Sequence, residues 1–174
     1  MELYLVRHTS VDVPQGTCYG NSDVPLKDTF AREAVVVYNQ LSHLTFCRVF
    51  SSPSSRCRSL AGFCNFSPVI DNKLMEMNFG DWEMQQWDDI KDLRLLQWYD
   101  DWIETPATNG ESFRGMYSRV SIFLDEIRAS ELQRVLIFTH AGFILCTNIY
   151  AGIVSFKDAF SYVPDYGSIT KITL

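Results

Sequence analysis

Leu3-Tyr4-Leu5-Val6-Arg7-His8 and Val135-Leu136-Ile137-Phe138-Thr139-His140 are the stretches whose reading decides the fold. Each opens with four apolar residues in a row, without polar alternation, as in a strand covered on both faces of a parallel sheet. Arg48-Val49-Phe50 is a third run of this kind. Helical spacing fills the intervals. From an N-cap at Asp28, Phe30, Ala34, Val37, Leu41 and Leu44 fall on one side; from Ser112, Phe113, Met116, Val120, Phe123, Leu124 and Ile127 do the same. A third helix is predicted from about Trp87 to Ile103, with Ile90, Leu93, Leu96, Tyr99 and Trp102 on its apolar side, and another begins near Ser54. Strands alternating with helices predict a layered α/β fold on a mostly parallel sheet. The tail Ser168 to Leu174 alternates Thr and Lys with Ile and Leu, as a late edge strand would. Val13 to Pro25 and Thr105 to Gly110 read as loops long enough to help build a site.

Length and composition set the outer bounds. A chain of 174 residues is about one domain's worth, so residues 1–174 are expected to form a single domain. Lys and Arg number 15 against 21 Asp and Glu, and a net charge of -6 argues against binding nucleic acid through backbone electrostatics. The densest apolar stretch, Phe143 to Val154, is interrupted by Thr147 and Asn148 and is too short for a membrane span. The first residues lack the basic start and cleavage site of a signal peptide. Cys18, Cys47, Cys57, Cys64 and Cys146 are an odd number without CxxC spacing, which suggests neither a disulfide framework nor a zinc site. A reducing cytoplasm is the expected location. The sequence is compatible with a homodimer.

The two deciding strands each deliver a histidine, His8 and His140, at the carboxyl end, where open α/β sheets bind ligands. Arg7 precedes His8, and the third strand leaves through Ser51-Ser52-Pro53-Ser54-Ser55-Arg56, which sets Arg56 in the first turn of a helix at the same edge. Two arginines, two histidines and a helix N-terminus form a local cationic site whose natural ligand is a phosphate. Arginine matches phosphate oxygens with forked donors, while a neutral histidine can attack phosphorus and split a hard hydrolysis into two displacements. Departure of an alkoxide also needs a proton donor. Glu76 is the candidate, with Glu83 as the alternative. A single strand-end histidine is more often structural than catalytic, so the reading rests on the four residues jointly; His43, at a helix end, is read as structural.

Rival phosphate chemistries fail on the letters. There is no GxxxxGK[ST] loop, and no cysteine is followed six positions later by arginine. Gly110-Glu111-Ser112-Phe113-Arg114 has Arg114 where a serine-hydrolase elbow requires glycine. Three scattered histidines without HxH or HExxH spacing argue against a metal site, so neither metal nor cofactor is expected.

These residues resemble the histidine phosphatase superfamily, also called phosphoglycerate mutase-like. Leu5-Val6-Arg7-His8-Thr9 is similar to its RHG signature, Ser51 to Ala61 to its second arginine block, Leu74 to Glu83 to its general-acid segment, and Thr139-His140-Ala141-Gly142 to its second-histidine motif. The resemblance implies a three-layer α/β/α sandwich, a small-molecule phosphomonoester substrate, His8 as nucleophile, Arg7, Arg56 and His140 as phosphate clamp, and Glu76 as proton donor. It also implies Thr9, Cys18, Tyr19 and Ala141 as substrate contacts. Thr9 departs from the usual Gly, Leu60 from the usual Thr, and Met84 from the Gly that often follows Trp-Glu. Val11 to Leu26, Phe79 to Met84 and Asp101 to Ser112 further resemble the α-ribazole phosphatase branch. For Tyr19, Trp82 and Trp102 this resemblance leaves core packing and stacking on a substrate base both open. A broad phosphatase or a mutase would use the same five catalytic residues.

Overall fold

The computed structural model describes residues 1–174. In chain order its elements are β1 (Glu2–Arg7), β2 (Thr17–Cys18), α1 (Phe30–Leu41), β3 (Arg48–Ser51), α2 (Ser55–Phe63), β4 (Val69–Ile70), β5 (Gln85–Gln86), α3 (Arg94–Asp100), α4 (Phe113–Ala129), β6 (Arg134–Thr139), α5 (Ala141–Tyr150) and β7 (Ile169–Thr173). The central sheet runs β4-β3-β6-β1-β7. All neighbours are parallel except β7, the expected edge strand, which runs antiparallel to β1.

Period-two alternation sends the strand side chains to two different cores. Leu3, Leu5, Val135 and Ile137 join Met116, Val120 and Phe123 of α4 and Phe143 and Ile144 of α5. Val6, Leu136 and Phe138 face the other way, onto Ala34 and Val37 of α1 and Leu60 and Ala61 of α2. Helices therefore cover both faces, giving the three-layer α/β/α sandwich. Each such side chain, removed from water, contributes roughly 1.5–3 kcal/mol, so burial on both faces is what holds the central strands. No helix is long and apolar enough to cross a membrane. All five cysteines are unpaired thiols.

The helix expected from Ser112 forms as read: Ser112 caps it by accepting from the Gly115 N–H, and all six of the predicted apolar residues are buried. The helix expected from Asp28 starts one residue later, with Thr29 at the N-cap, and ends before Leu44. The helix expected over Trp87 to Ile103 is the clear correction. Only Arg94–Asp100 is α-helical, and Trp87–Asp89 forms a separate 3-10 turn. Leu93, Leu96 and Tyr99, assigned to its apolar side, are 80%, 65% and 56% exposed. The cause is Asp92, whose carboxylate accepts from Trp82 Nε1 at 2.7 Å, from the Thr108 hydroxyl and from the Arg94 N–H. Aspartate bonded in this way offers the backbone an alternative to a continuous helix. Ile90 is buried as expected, Leu95 is buried in place of Leu93 and Leu96, and Trp98 stacks on Trp87 with ring centroids 5.5 Å apart.

Candidate active site

Parallel pairing of β1 with β6 sets Arg7 opposite Thr139, so His8 and His140 leave the sheet side by side. The His8 N–H donates to the Thr139 carbonyl at 3.1 Å, and the imidazole rings meet edge-on with centroids 5.2 Å apart. His140 is the N-cap of α5 and Arg56 lies in the first turn of α2, whose N-cap is Ser54. Arg56, His140 and Thr9 are fully buried, and His8 is nearly so.

His8 donates from Nδ1 to the Thr9 carbonyl at 2.8 Å, because a carbonyl can only accept. That bond fixes the tautomer in which Nε2 carries the lone pair. Burial, reinforced by the Arg56 charge, pushes the His8 pKa down to about 3 despite the opposing bond to Thr9. Burial and then Arg56 likewise hold His140 well below the usual imidazole range. Both rings are neutral at physiological pH. His140 Nε2 lies 2.8 Å from the Ser52 hydroxyl.

The arginines are anchored yet incompletely paired. Arg56 donates to the Gly20 and Ser22 carbonyls at 2.7 and 2.8 Å; its only acidic neighbour, Asp23, is 3.9 Å away and mostly exposed. Arg7 donates to the Pro164 carbonyl at 2.5 Å, and its guanidinium lies 3.8 Å from the centre of the Tyr166 ring. Arg7 Nε, Arg56 Nε, His140 Nδ1 and Thr9 Oγ1 are all buried without a protein hydrogen-bond partner. Buried polar atoms are rarely left so, and four in one strand-end cluster suit an anionic ligand rich in acceptor oxygens. Residue 9 is not among those with positive φ, so threonine in place of glycine introduces no backbone strain.

Glu76 reaches the cluster from the segment before the Gly80–Trp82 turn. Its carboxylate accepts from the Met77 N–H at 2.9 Å and from the Gly142 N–H, in the first turn of α5, at 3.1 and 3.2 Å. Only glycine permits this approach, since a Cβ at position 142 would stand 2.3 Å from Glu76 Oε1. Glu83 is committed elsewhere. It accepts from the Asn21, Ser22 and Phe79 N–H groups and from the Ser22 hydroxyl, which ties the Gly20 loop to the acid segment.

Glu76, Cys18, Tyr19 and Ala141 line one apolar cavity of about 200 Å³, whose walls include Met77, Phe79, Phe113, Met116 and Phe160. Cys18 is an apolar lining residue: burial first, then Glu83, pushes its thiol up to about 12. Trp82 is buried and bonded to Asp92, so it offers no face to a ligand. Trp102 packs on Phe113 and Phe160 behind the cavity wall. Of the three aromatics left open above, Tyr19 alone lines the cavity. Residues that sequence reasoning did not single out as site residues are Ser52, Tyr166 and Arg119. The Tyr166 hydroxyl bonds that of Tyr19 at 2.7 Å, and its ring lies against His8. No local pattern marks a partner 147 positions away.

At the carboxyl edge of a phosphoglycerate mutase-like fold, two arginines and two buried histidines form a cationic cluster suited to an anionic ligand. The model of the histidine phosphatase superfamily (branch 1) matches residues 3–174, and the chain belongs to that family. It is 33% identical over 151 residues to the adenosylcobalamin/alpha-ribazole phosphatase of Salmonella typhimurium, covering 82% of this chain and 75% of that one. Phosphoserine phosphatase 1 of Hydrogenobacter thermophilus is 25% identical over 150 residues, 80% of this chain and 71% of that one. Among solved structures, the alpha-ribazole phosphatase of Shigella flexneri superposes with a TM-score of 0.89 at 26% identity, covering 100% of this chain and 91% of that one.

Proposed function

We propose that this chain hydrolyses phosphomonoesters through a phosphohistidine on His8, and that its substrate is α-ribazole 5'-phosphate. The observation that carries the mechanism is the bond from His8 Nδ1 to the Thr9 carbonyl, which leaves a neutral ring with its Nε2 lone pair available. Nε2 attacks phosphorus as the bond to the ester oxygen breaks, and Glu76 gives its proton to the departing alkoxide. Water then attacks the phosphohistidine, passes a proton to Glu76 and releases inorganic phosphate with His8 restored. Arg7 and Arg56 balance the phosphoryl charge with fixed donors in a buried setting, where such donors act most strongly. With Ser52 donating its hydroxyl proton to Nε2, His140 carries Nδ1–H and donates to the same group.

Substrate choice rests on the cavity beside Glu76 and on the likeness to alpha-ribazole phosphatases. A flat apolar base buried against Met77, Phe79 and Phe160 contributes roughly 1–3 kcal/mol, about tenfold to a hundredfold in discrimination. Phosphate contacts cannot discriminate, because every phosphomonoester carries the same group. Initial rates on α-ribazole 5'-phosphate, phosphoserine, 3-phosphoglycerate and an aryl phosphate test this. The ribazole ester is expected to have the highest kcat/KM. A higher value for phosphoserine or 3-phosphoglycerate would overturn the substrate while leaving the phosphohistidine route standing.

A further inference from the structure

Glu76 lies in the irregular stretch between the 3-10 turns Asn72–Leu74 and Gly80–Trp82, so no regular backbone ladder holds it in place. On one side, a polar cavity of about 410 Å³ lined by Glu76, Asn21, Asn78, Glu111 and Arg119 leaves it without packing support. A proton donor nevertheless has to stay within hydrogen-bond reach of the oxygen it serves.

Arg119, on α4, supplies the missing rigidity. Its guanidinium makes a two-pronged pair with Glu111, Nε to Oε2 at 3.1 Å and one terminal nitrogen to Oε1 at 2.8 Å. The same group donates to the Lys73 carbonyl at 2.8 Å and to the Glu76 carbonyl at 3.0 Å. Glu111 closes the clasp: its carboxylate accepts from the Asn78 N–H at 2.9 Å, and its own N–H donates to the Asn78 carbonyl at 2.8 Å. One ion pair thus grips the acid segment at Lys73, Glu76 and Asn78. Four of the five guanidinium donors are used, and lysine, a point charge without the fork, cannot reproduce the set. Arg119 also contributes to keeping His140 neutral, which puts its charge within reach of the phosphate cluster.

We propose that Arg119, braced by Glu111, is a positioning residue for proton transfer, fixing the Glu76 backbone so that the carboxyl meets the leaving oxygen. The inference rests on the reading of Glu76 as the acid. An arginine that only stabilised the fold would lower activity on all substrates alike. A positioning arginine penalises most the substrates that need the proton.

The test compares kcat/KM on benzyl phosphate, a poor leaving group, and 4-nitrophenyl phosphate, a good one, for wild type, Glu76→Gln, Arg119→Met, Arg119→Lys and Glu76→Gln/Arg119→Met, with urea unfolding confirming that each folds. Arg119→Met is expected to lose on the order of tenfold more on benzyl phosphate than on 4-nitrophenyl phosphate, a fraction of the full contribution of a general acid. Arg119→Lys should recover part of that difference, and the double variant should be no more selective than Glu76→Gln alone. Equal losses on both substrates in Arg119→Met, with Glu76→Gln selective, would overturn the positioning role; if Arg119→Met does not fold, Arg119→Lys decides on the same criterion. Loss of selectivity in Glu76→Gln itself would instead remove the acid assignment, and this inference with it.

Discussion

Lowering the pH from 7.5 to 5 should destabilise this protein through its buried histidines, and replacing His8 should remove a defined share of that loss. Folded His8 has its pKa at about 3 against an ordinary value of 6.5 when unfolded. Between those values the unfolded chain binds a proton that the folded chain refuses, so stability falls as the pH drops through 6.5 and stops falling near 3. At pH 5 the unfolded side chain lies about 1.5 units below its own pKa, and at roughly 1.36 kcal/mol per unit the loss is about 2 kcal/mol. His140, shifted in the same direction, adds to the loss in wild type. Glu2, Glu33 and Asp92, whose carboxyls are held below their ordinary values, act mainly below this window and equally in both proteins. Urea unfolding of wild type and His8→Asn at pH 7.5 and pH 5 measures the difference: wild type should lose about 2 kcal/mol more than the variant. Parallel losses would mean that His8 is not held neutral in the folded state, and the nucleophile assignment would lose its physical basis.

Three further outcomes follow from particular contacts. Met84 is half exposed yet holds φ at 63°, a left-handed conformation that suits glycine, so Met84→Gly should raise unfolding free energy by roughly 0.5–1 kcal/mol in urea titrations; a loss of stability would show that the methionine side chain outweighs the strain. Tyr166→Ala removes the ring stacked on Arg7 and should lower kcat/KM by roughly threefold to thirtyfold, while Tyr166→Phe should stay near wild type; equal losses would shift the weight to the hydroxyl bond with Tyr19. Chelation with EDTA should leave turnover unchanged, since the proposed mechanism draws its positive charge from Arg7 and Arg56; activity lost and then restored by Mg²⁺ or Zn²⁺ would contradict that.

Much of the fold is legible in uninterrupted apolar runs. Leu3 to Val6 and Val135 to Phe138 look alike because both are buried on two faces, and the same placement puts His8 and His140 at one edge. The face of α4 is readable because its six buried apolar residues all serve a single core. The region after Trp82 is not, since Asp92 spends its carboxylate on Trp82 and Thr108 and breaks the periodicity. β2 and β5 are two residues each, too short for any pattern. Met84 stands where glycine was expected, and the left-handed φ there explains the expectation. Arg119 and Tyr166 escaped notice because their partners lie far away in the chain, Arg119 with the Glu76 carbonyl and Tyr166 with Tyr19, contacts that only the folded structure reveals.

A covalent phosphohistidine on His8 is the most direct consequence of the proposed mechanism. Wild type and His8→Asn, mixed with a radiolabelled phosphomonoester and quenched in alkali during turnover, report it. The prediction is label that survives alkali, is released by acid and maps to the peptide containing His8 in wild type, with none on the variant and its turnover down by roughly four orders of magnitude or more. Label on another residue, or near-wild-type turnover in His8→Asn, would contradict the mechanism.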